Sequence, residues 1–262
     1  MELLLAIDVG NTNIVLGVFD LRQGAVPQLL HSWRIATTRE RTADEYGLIF
    51  QDLLKHRGVS LSAVSELIIG SVVPPLHPVL ETCCHRYFNR RPLWIEPSVN
   101  TGLKLSIDNP SELGSDRLAN CVGAMDGHGI PAIVVDLGTA TTFDVINENR
   151  EYLGGLILPG IKIAAEALFQ RAARLPRVEI VKPDRLVGRN TVQAMQSGLY
   201  YGCIGQIDGI LERLIQQLPK ATIVATGGLA NSVRKESKFI KHVDPDLTLN
   251  GLRCIWSLNR SH

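Results

Sequence analysis

Excess charge of either sign is missing from this chain of 262 residues, in which 27 Lys and Arg stand against 26 Asp and Glu for a net charge of +1. The basic footprint of a nucleic-acid-binding protein is therefore absent, and 45% hydrophobic with 20% charged residues excludes a disordered chain. No apolar run approaches the ~18 residues needed to span a bilayer. The short run Leu3-Leu4-Leu5-Ala6-Ile7 has no cationic stretch before it and no small-residue cleavage site after it, so it reads as a first strand rather than a secretion signal. Cysteine is sparse. Cys83, Cys84, Cys121, Cys203 and Cys254 are odd in number and show no C-x-x-C spacing, which fits reduced thiols in a cytoplasm. Cys83-Cys84-His85 sits in a helix-like stretch where adjacent residues point different ways, which favours packing over a metal site. G-x-x-x-x-G-K-[ST], a strand-linked G-x-G-x-x-G and the protein-kinase motif set are all missing, so a nucleotide, if bound, is bound another way.

What is present is one arrangement used twice. Asp8-Val9-Gly10-Asn11-Thr12-Asn13 follows the first apolar run, and Asp136-Leu137-Gly138-Thr139 follows Ala132-Ile133-Val134-Val135. Each time a buried strand delivers an Asp, a Gly and a hydroxyl residue to a turn. Glycine lets backbone N–H groups approach phosphate oxygens, threonine adds a hydroxyl donor, and a carboxylate suits a hydrated Mg²⁺ or a monovalent cation. Two such hairpins facing each other would clamp a nucleotide triphosphate. An Asp-x-Gly that merely caps a strand before a hairpin is the competing reading for either copy alone, and the repetition weighs against it.

Around these turns the pattern of elements also repeats. Three strands, from Leu3, over Ile14 to Phe19 and over Leu29 to Ile35, precede a helix capped by Thr42 with Glu45 three residues on. A strand at 66–73, a helix from Leu76 to Phe88 and a short strand at Leu93-Trp94-Ile95 follow. The second half restarts with Ile133 to Asp136, Thr141 to Ile146 and Tyr152 to Leu158, then a helix from Ile161 to Gln170. A long helix is expected from Asn190 to Leu218, with Gly198, Gly202, Gly205 and Gly209 on one face allowing close helix packing. A strand ending in Thr226-Gly227-Gly228 and an amphipathic helix from Leu247 to Leu258 close the chain, which divides into lobes at 1–118 and 119–262.

The duplicated unit with a late Gly-Gly turn resembles the actin, Hsp70 and sugar kinase superfamily, and its details resemble the type III pantothenate kinases over nearly the whole chain. The segments that carry the likeness are Asp8 to Asn13, Asn109-Pro110-Ser111-Glu112-Leu113-Gly114-Ser115-Asp116-Arg117, 135–142, 154–160, 188–198 and 225–230. The resemblance implies an α/β, duplicated actin-like (ribonuclease H-like) two-lobe fold with mixed sheets flanked by helices. It also implies transfer of the ATP γ-phosphoryl group to pantothenate, the entry step of coenzyme A synthesis, by a cytoplasmic homodimer using Mg²⁺ and a monovalent cation, K⁺ or NH₄⁺. Neither a membrane nor a nucleic acid is an expected partner.

Carried over by position, Asp8, Val9, Gly10, Asn11, Thr12, Asn13, Ile14 and Val15 resemble the first phosphate loop, with Asp8 near a hydrated Mg²⁺. Asp136 resembles the monovalent-cation ligand, Thr139 a contact to ATP, and Gly227 and Gly228 the turn beneath adenosine. Gly114, Ser115, Asp116 and Arg117 resemble the pantothenate-binding stretch, with Asp116 the proton acceptor, and Thr191 resembles a substrate-contacting threonine. Each also has a plainer reading. Ser115 or Asp116 can cap the helix that begins at Leu118, Arg117 can form a structural ion pair, Asp136 can bond its own turn, and Thr191 can be an ordinary first-turn residue. One position departs from the family, which usually has a tyrosine two residues before the Asn-Pro pair; here it is Ile107. Two other functions share the fold: a superfamily kinase with another small acceptor, and a nucleotide-binding accessory protein for transcription. The near-neutral charge and the absence of a helix-turn-helix signal weigh against the latter contacting DNA.

Overall fold

In a computed structural model, residues 2–21, 26–96 and 98–260 are described. The chain forms β1 (Leu3–Val9), β2 (Asn13–Asp20), β3 (Gln28–Ala36), α1 (Ala43–Lys55), β4 (Val64–Ser71), α2 (His77–Cys83), β5 (Leu93–Trp94), β6 (Lys104–Leu105) and α3 (Ser115–Gly127). There follow β7 (Ala132–Leu137), β8 (Ala140–Ile146), β9 (Glu151–Pro159), α4 (Ile161–Arg171), α5 (Thr191–Gln217), β10 (Thr222–Thr226), α6 (Ala230–Arg234), β11 (His242–Val243) and α7 (Leu247–Asn259). Two compact units result, one running to Gly127 and regaining the chain from Asp246, the other spanning His128–Pro245.

The first unit carries strand order β3-β2-β1-β4-β5, with β1 antiparallel to β2 and parallel to β4. β1 shows no polar alternation because it is covered on both faces. Leu3, Leu5, Ile7 and Val9 pack with Tyr46, Phe50 and Leu80 of α1 and α2, while Leu4 and Ala6 pack with Ala119 and Val122 of α3 and Leu252 and Ile255 of α7. Thr42 caps α1 through the expected reciprocal pair, its backbone N–H donating to Glu45 at 2.7 Å and its hydroxyl accepting from the Glu45 N–H at 3.3 Å. The expected helix to Phe88 holds as α2 followed by a wider π turn at Cys84–Phe88. Cys83 and Cys84 are buried in this core, and burial pushes the Cys83 thiol up to about 12.

In the second unit the order is β11-β10-β7-β8-β9, with β7 antiparallel to β8 and parallel to β10. The meander plus parallel neighbour of the first unit is thus repeated strand for strand. Ile133, Val135 and Leu137 pack with Ile207 and Leu211 of α5 and with Ala230 and Val233 of α6.

The compact units part after Gly127 with α7 in the first, because α3 and α7 share one core and one polar seam, whereas the sequence places the lobe boundary at 118/119. Arg253, 7% exposed, places Nη2 2.6 Å from Asp126 Oδ2, and the Thr248 hydroxyl donates to Asn120 Oδ1 at 2.6 Å. The close helix crossing also lies here and not along the glycines of α5. A Cβ at Gly251 would run into the Ala119 carbonyl and one at Gly123 into that of Leu247, whereas at Gly198, Gly202 or Gly205 it would meet open space.

Gly251→Ala should therefore lower the free energy of unfolding by about 1–3 kcal/mol in chemical denaturation, since the clash is with backbone. Gly205→Ala, in an exposed helix interior, should raise it by about 0.5–1 kcal/mol. A loss of stability in that second variant would put a packing partner from outside the chain on the glycine face.

Candidate active site

Asp8 lies one residue before the end of β1, paired with Val15 of β2 and Gly70 of β4; Asp136 lies one before the end of β7, paired with Thr142 of β8 and Thr226 of β10. Both are half-buried in strands otherwise fully buried. A carboxylate is tolerated at that position because the strand is leaving its sheet and water reaches it.

The turns differ in size. Gly10 N–H donates to the Asn13 carbonyl at 2.9 Å, enclosing Asn11 and Thr12, while Gly138 N–H donates to the Ala140 carbonyl at 3.1 Å, enclosing only Thr139. The first turn is braced by the segment after β3: the Thr37 hydroxyl donates to the Gly10 carbonyl at 2.6 Å, the Thr37 N–H to the Thr12 carbonyl at 3.0 Å, and Arg39 Nη2 to Asn11 Oδ1 at 3.2 Å. The second is braced by glycine contacts. A Cβ at Gly160 would strike the Thr139 carbonyl, and one at Gly227 would lie 2.6 Å from Asp136 Oδ1 and 2.7 Å from the Leu137 carbonyl carbon and oxygen. Gly227 adopts φ +90°, a conformation that favours glycine. The late glycine turn is thereby brought against Asp136, with no side chain between its backbone and that carboxylate.

The segment 109–117 is ordered by its own side chains. Asn109 Nδ2 donates to Glu112 Oε1 at 2.7 Å and the Ser111 hydroxyl to Asn109 Oδ1 at 2.7 Å across a 3₁₀ turn at Pro110–Glu112. The first helical bond of α3 runs from Leu118 N–H to the Gly114 carbonyl at 3.0 Å. Gly114, rather than Ser115 or Asp116, thus holds the cap position, and Asp116 sits in the first turn, where the helix dipole favours negative charge. Asp116 Oδ1 accepts from the Arg117 N–H at 2.8 Å, and a Cβ at Gly114 would lie 2.5 Å from that oxygen. Alongside is a cavity of about 720 Å³ walled by Val72, Pro74, Lys104, Gly114, Ser115 and Leu118. Asp116, Arg117 and Ile107 are outside its lining. The Ser115 hydroxyl is buried without a hydrogen-bond partner among the described residues. Thr191 is the exposed first residue of α5, after the Asn190 cap, whose Oδ1 accepts from Gln193 N–H at 2.9 Å.

Sequence reasoning missed Thr37 and Arg39. The only signal was a Thr-Thr-Arg run directly after a strand, which does not announce that the strand ends beside Asn13.

The sequence profile of the type III pantothenate kinases matches residues 4–213. The type III pantothenate kinase of Koribacter versatilis is 51% identical over 266 residues, covering 99% of this chain and 97% of that one. That of Exiguobacterium sibiricum is 49% identical, covering 98% and 100%. The chain belongs to the type III pantothenate kinase family. Solved structures agree on the duplicated actin-like fold: the activator of 2-hydroxyisocaproyl-CoA dehydratase from Clostridium difficile has a TM-score of 0.54 at 11% identity, covering 98% of this chain and 95% of its own. The ethanolamine utilization protein EutJ from Carboxydothermus hydrogenoformans has a TM-score of 0.51 at 14% identity, covering 96% and 89%. As a type III pantothenate kinase the chain is a phosphotransferase with ATP as co-substrate. No helix among its described residues is long and apolar enough to cross a membrane.

Gly227→Ala should weaken binding of a non-hydrolysable ATP analogue at least about tenfold in calorimetry, since a Cβ there displaces the Asp136 carboxylate and is strained at positive φ. Unchanged affinity would separate the glycine turn from the nucleotide.

Proposed function

We propose that this kinase transfers the γ-phosphoryl group of ATP to the primary hydroxyl of pantothenate, giving 4'-phosphopantothenate at the start of coenzyme A synthesis, with Asp116 taking the hydroxyl proton. The observation that carries the reading is the full-length likeness to type III pantothenate kinases. Local geometry is compatible with the roles: Gly114 and Ser115 line the cavity, and the Asp116 carboxylate follows them in the first turn of α3, where it can accept a proton from an alcohol brought to it. Phosphoryl transfer asks for little else of the protein than position and countercharge.

In this reading Asp8 to Val15 hold the phosphates by their amides, Thr139 adds a hydroxyl, and Gly227 and Gly228 lie under adenosine. Asp8 would hold a hydrated Mg²⁺ and Asp136 would hold a monovalent cation, K⁺ or NH₄⁺. When bound, these cations neutralise the charge that spreads over the transferring group. Gly114 and Ser115 shape the acceptor pocket, Arg117 orients the pantothenate carboxylate, and Thr191 contacts substrate. Ile107 supplies no hydroxyl to the acceptor. The protein works as a cytoplasmic homodimer.

Asp116→Asn keeps the shape of the side chain and removes the basic oxygen, so the fold should survive while turnover falls by ~10²- to 10⁴-fold in a coupled assay of ADP release. A variant that loses thermal stability but keeps turnover per folded molecule would return Asp116 to a purely structural role. Exchanging Na⁺ for K⁺ or NH₄⁺ at constant ionic strength should raise the rate of the unmodified protein, and Asp136→Ala should erase the difference. Equal rates in all three salts would remove the cation from the assignment.

A further inference from the structure

The segment after β3 is held far more firmly than an exposed connection requires. Thr37 bonds both ends of the first turn, and Thr38 is clamped by Tyr46, a fully buried residue of α1, whose hydroxyl accepts from the Thr38 N–H at 3.2 Å and donates to its carbonyl at 2.7 Å. The next residue is Arg39. Its neighbour in charge, Arg41, is used in packing: Nη1 donates to the Ala36 carbonyl at 3.4 Å and the guanidinium lies 5.8 Å from the centroid of the Tyr46 ring. Arg39 is exposed, and one nitrogen of its fork bonds Asn11 Oδ1 on the rim of the turn. A guanidinium carries five donors in a planar fork suited to phosphate oxygens, so that bond steers the group over the turn and leaves further donors for a ligand.

We propose that Arg39 contacts the terminal phosphate of ATP, a role that rests on the reading of Gly10 to Asn13 as the first phosphate turn. In the transfer the pantothenate hydroxyl oxygen bonds to the γ-phosphorus, its proton passes to Asp116, and the bond to the β,γ-bridging oxygen breaks with its electron pair leaving on ADP. Charge accumulates on the γ-phosphoryl oxygens and on that bridging oxygen. A cation fixed by a pinned backbone meets that charge without having to reorganise, which is the condition under which such a group accelerates reaction most. The four hydrogen bonds at Thr37 and Thr38 supply the fixity, and Asn11 supplies the direction.

The test uses Arg39→Ala and Arg39→Lys in the full chain, with calorimetric binding of ADP and of a non-hydrolysable ATP analogue beside steady-state kinetics. Because the contact is to the terminal phosphate, Arg39→Ala should weaken the analogue about tenfold more than ADP and lower kcat by about 10²-fold, with KM for pantothenate within about twofold of the parent. Arg39→Lys should restore part of the affinity but less of kcat, since an ammonium lacks the fork. If both variants keep the ratio of analogue to ADP affinity and keep kcat within about twofold, or lose activity only in step with melting temperature, Arg39 is a surface stay for Asn11 and the inference falls. Gly10→Ala separates the two levels of the argument, since its Cβ would lie 3.1 Å from the Asn13 carbonyl that closes the turn. Normal ATP binding by that variant would overturn the phosphate-turn reading itself, whereas its loss beside intact Arg39 variants would overturn the arginine alone.

Discussion

In β1 and β7, covered on both faces, the one carboxylate stands where the strand leaves its sheet, and the candidate site is arranged around that placement. β1 and β7 are sandwiched between an antiparallel and a parallel neighbour, and each is buried along its length except at the Asp one residue from its end. Burial of the apolar residues sets the register, since a slip of one would turn Leu5 and Ile7 out of one core and into the other. The register in turn sets where Asp8 and Asp136 emerge. The turn that follows needs no structure of its own to aim the carboxylate, because the sheet has already done so.

The two units solve the next problem differently. In the first, hydrogen bonds from the β3–α1 segment hold a turn wide enough to enclose Asn11 and Thr12. In the second, missing Cβ atoms at Gly160 and Gly227 let backbone close on a tighter turn around Thr139 and Asp136. A side-chain brace leaves donors such as Arg39 at the rim, and a glycine brace brings backbone directly against the strand end, so the same duplicated frame is locked by two different means.

Near Asp116 the deciding feature is a small residue at the helix cap. Gly114 gives up the side-chain cap that Ser115 or Asp116 would have offered, and the carboxylate occupies space a Cβ at Gly114 would crowd. Bonded to the Arg117 N–H of its own first turn, Asp116 keeps the favourable potential of the helix start while remaining half-exposed. The Ser115 hydroxyl is left buried beside the cavity with no partner among the described residues, and it adds an unused polar group to a wall that also carries Glu96, Lys104 and Glu112.

The sequence by itself determined the local features: apolar runs long enough only for strands, the Thr42–Glu45 capping pair, the two Asp-x-Gly turns, and the family likeness of the Gly114 to Arg117 stretch. These depend on neighbours in the chain, so periodicity and residue type express them directly. Tertiary structure alone decided which glycines permit close approach. Gly251 and Gly123 lie against carbonyls of a helix far off in sequence, while the conspicuous row in α5 faces open space, because spacing reports the face of a helix but not what that face meets. For the same reason the return of α7 to the first unit, and the placement of Thr37 and Arg39 on a turn 25 or more residues earlier, were not legible. They follow from strand pairing and from which apolar faces meet, and no short stretch of the chain records that.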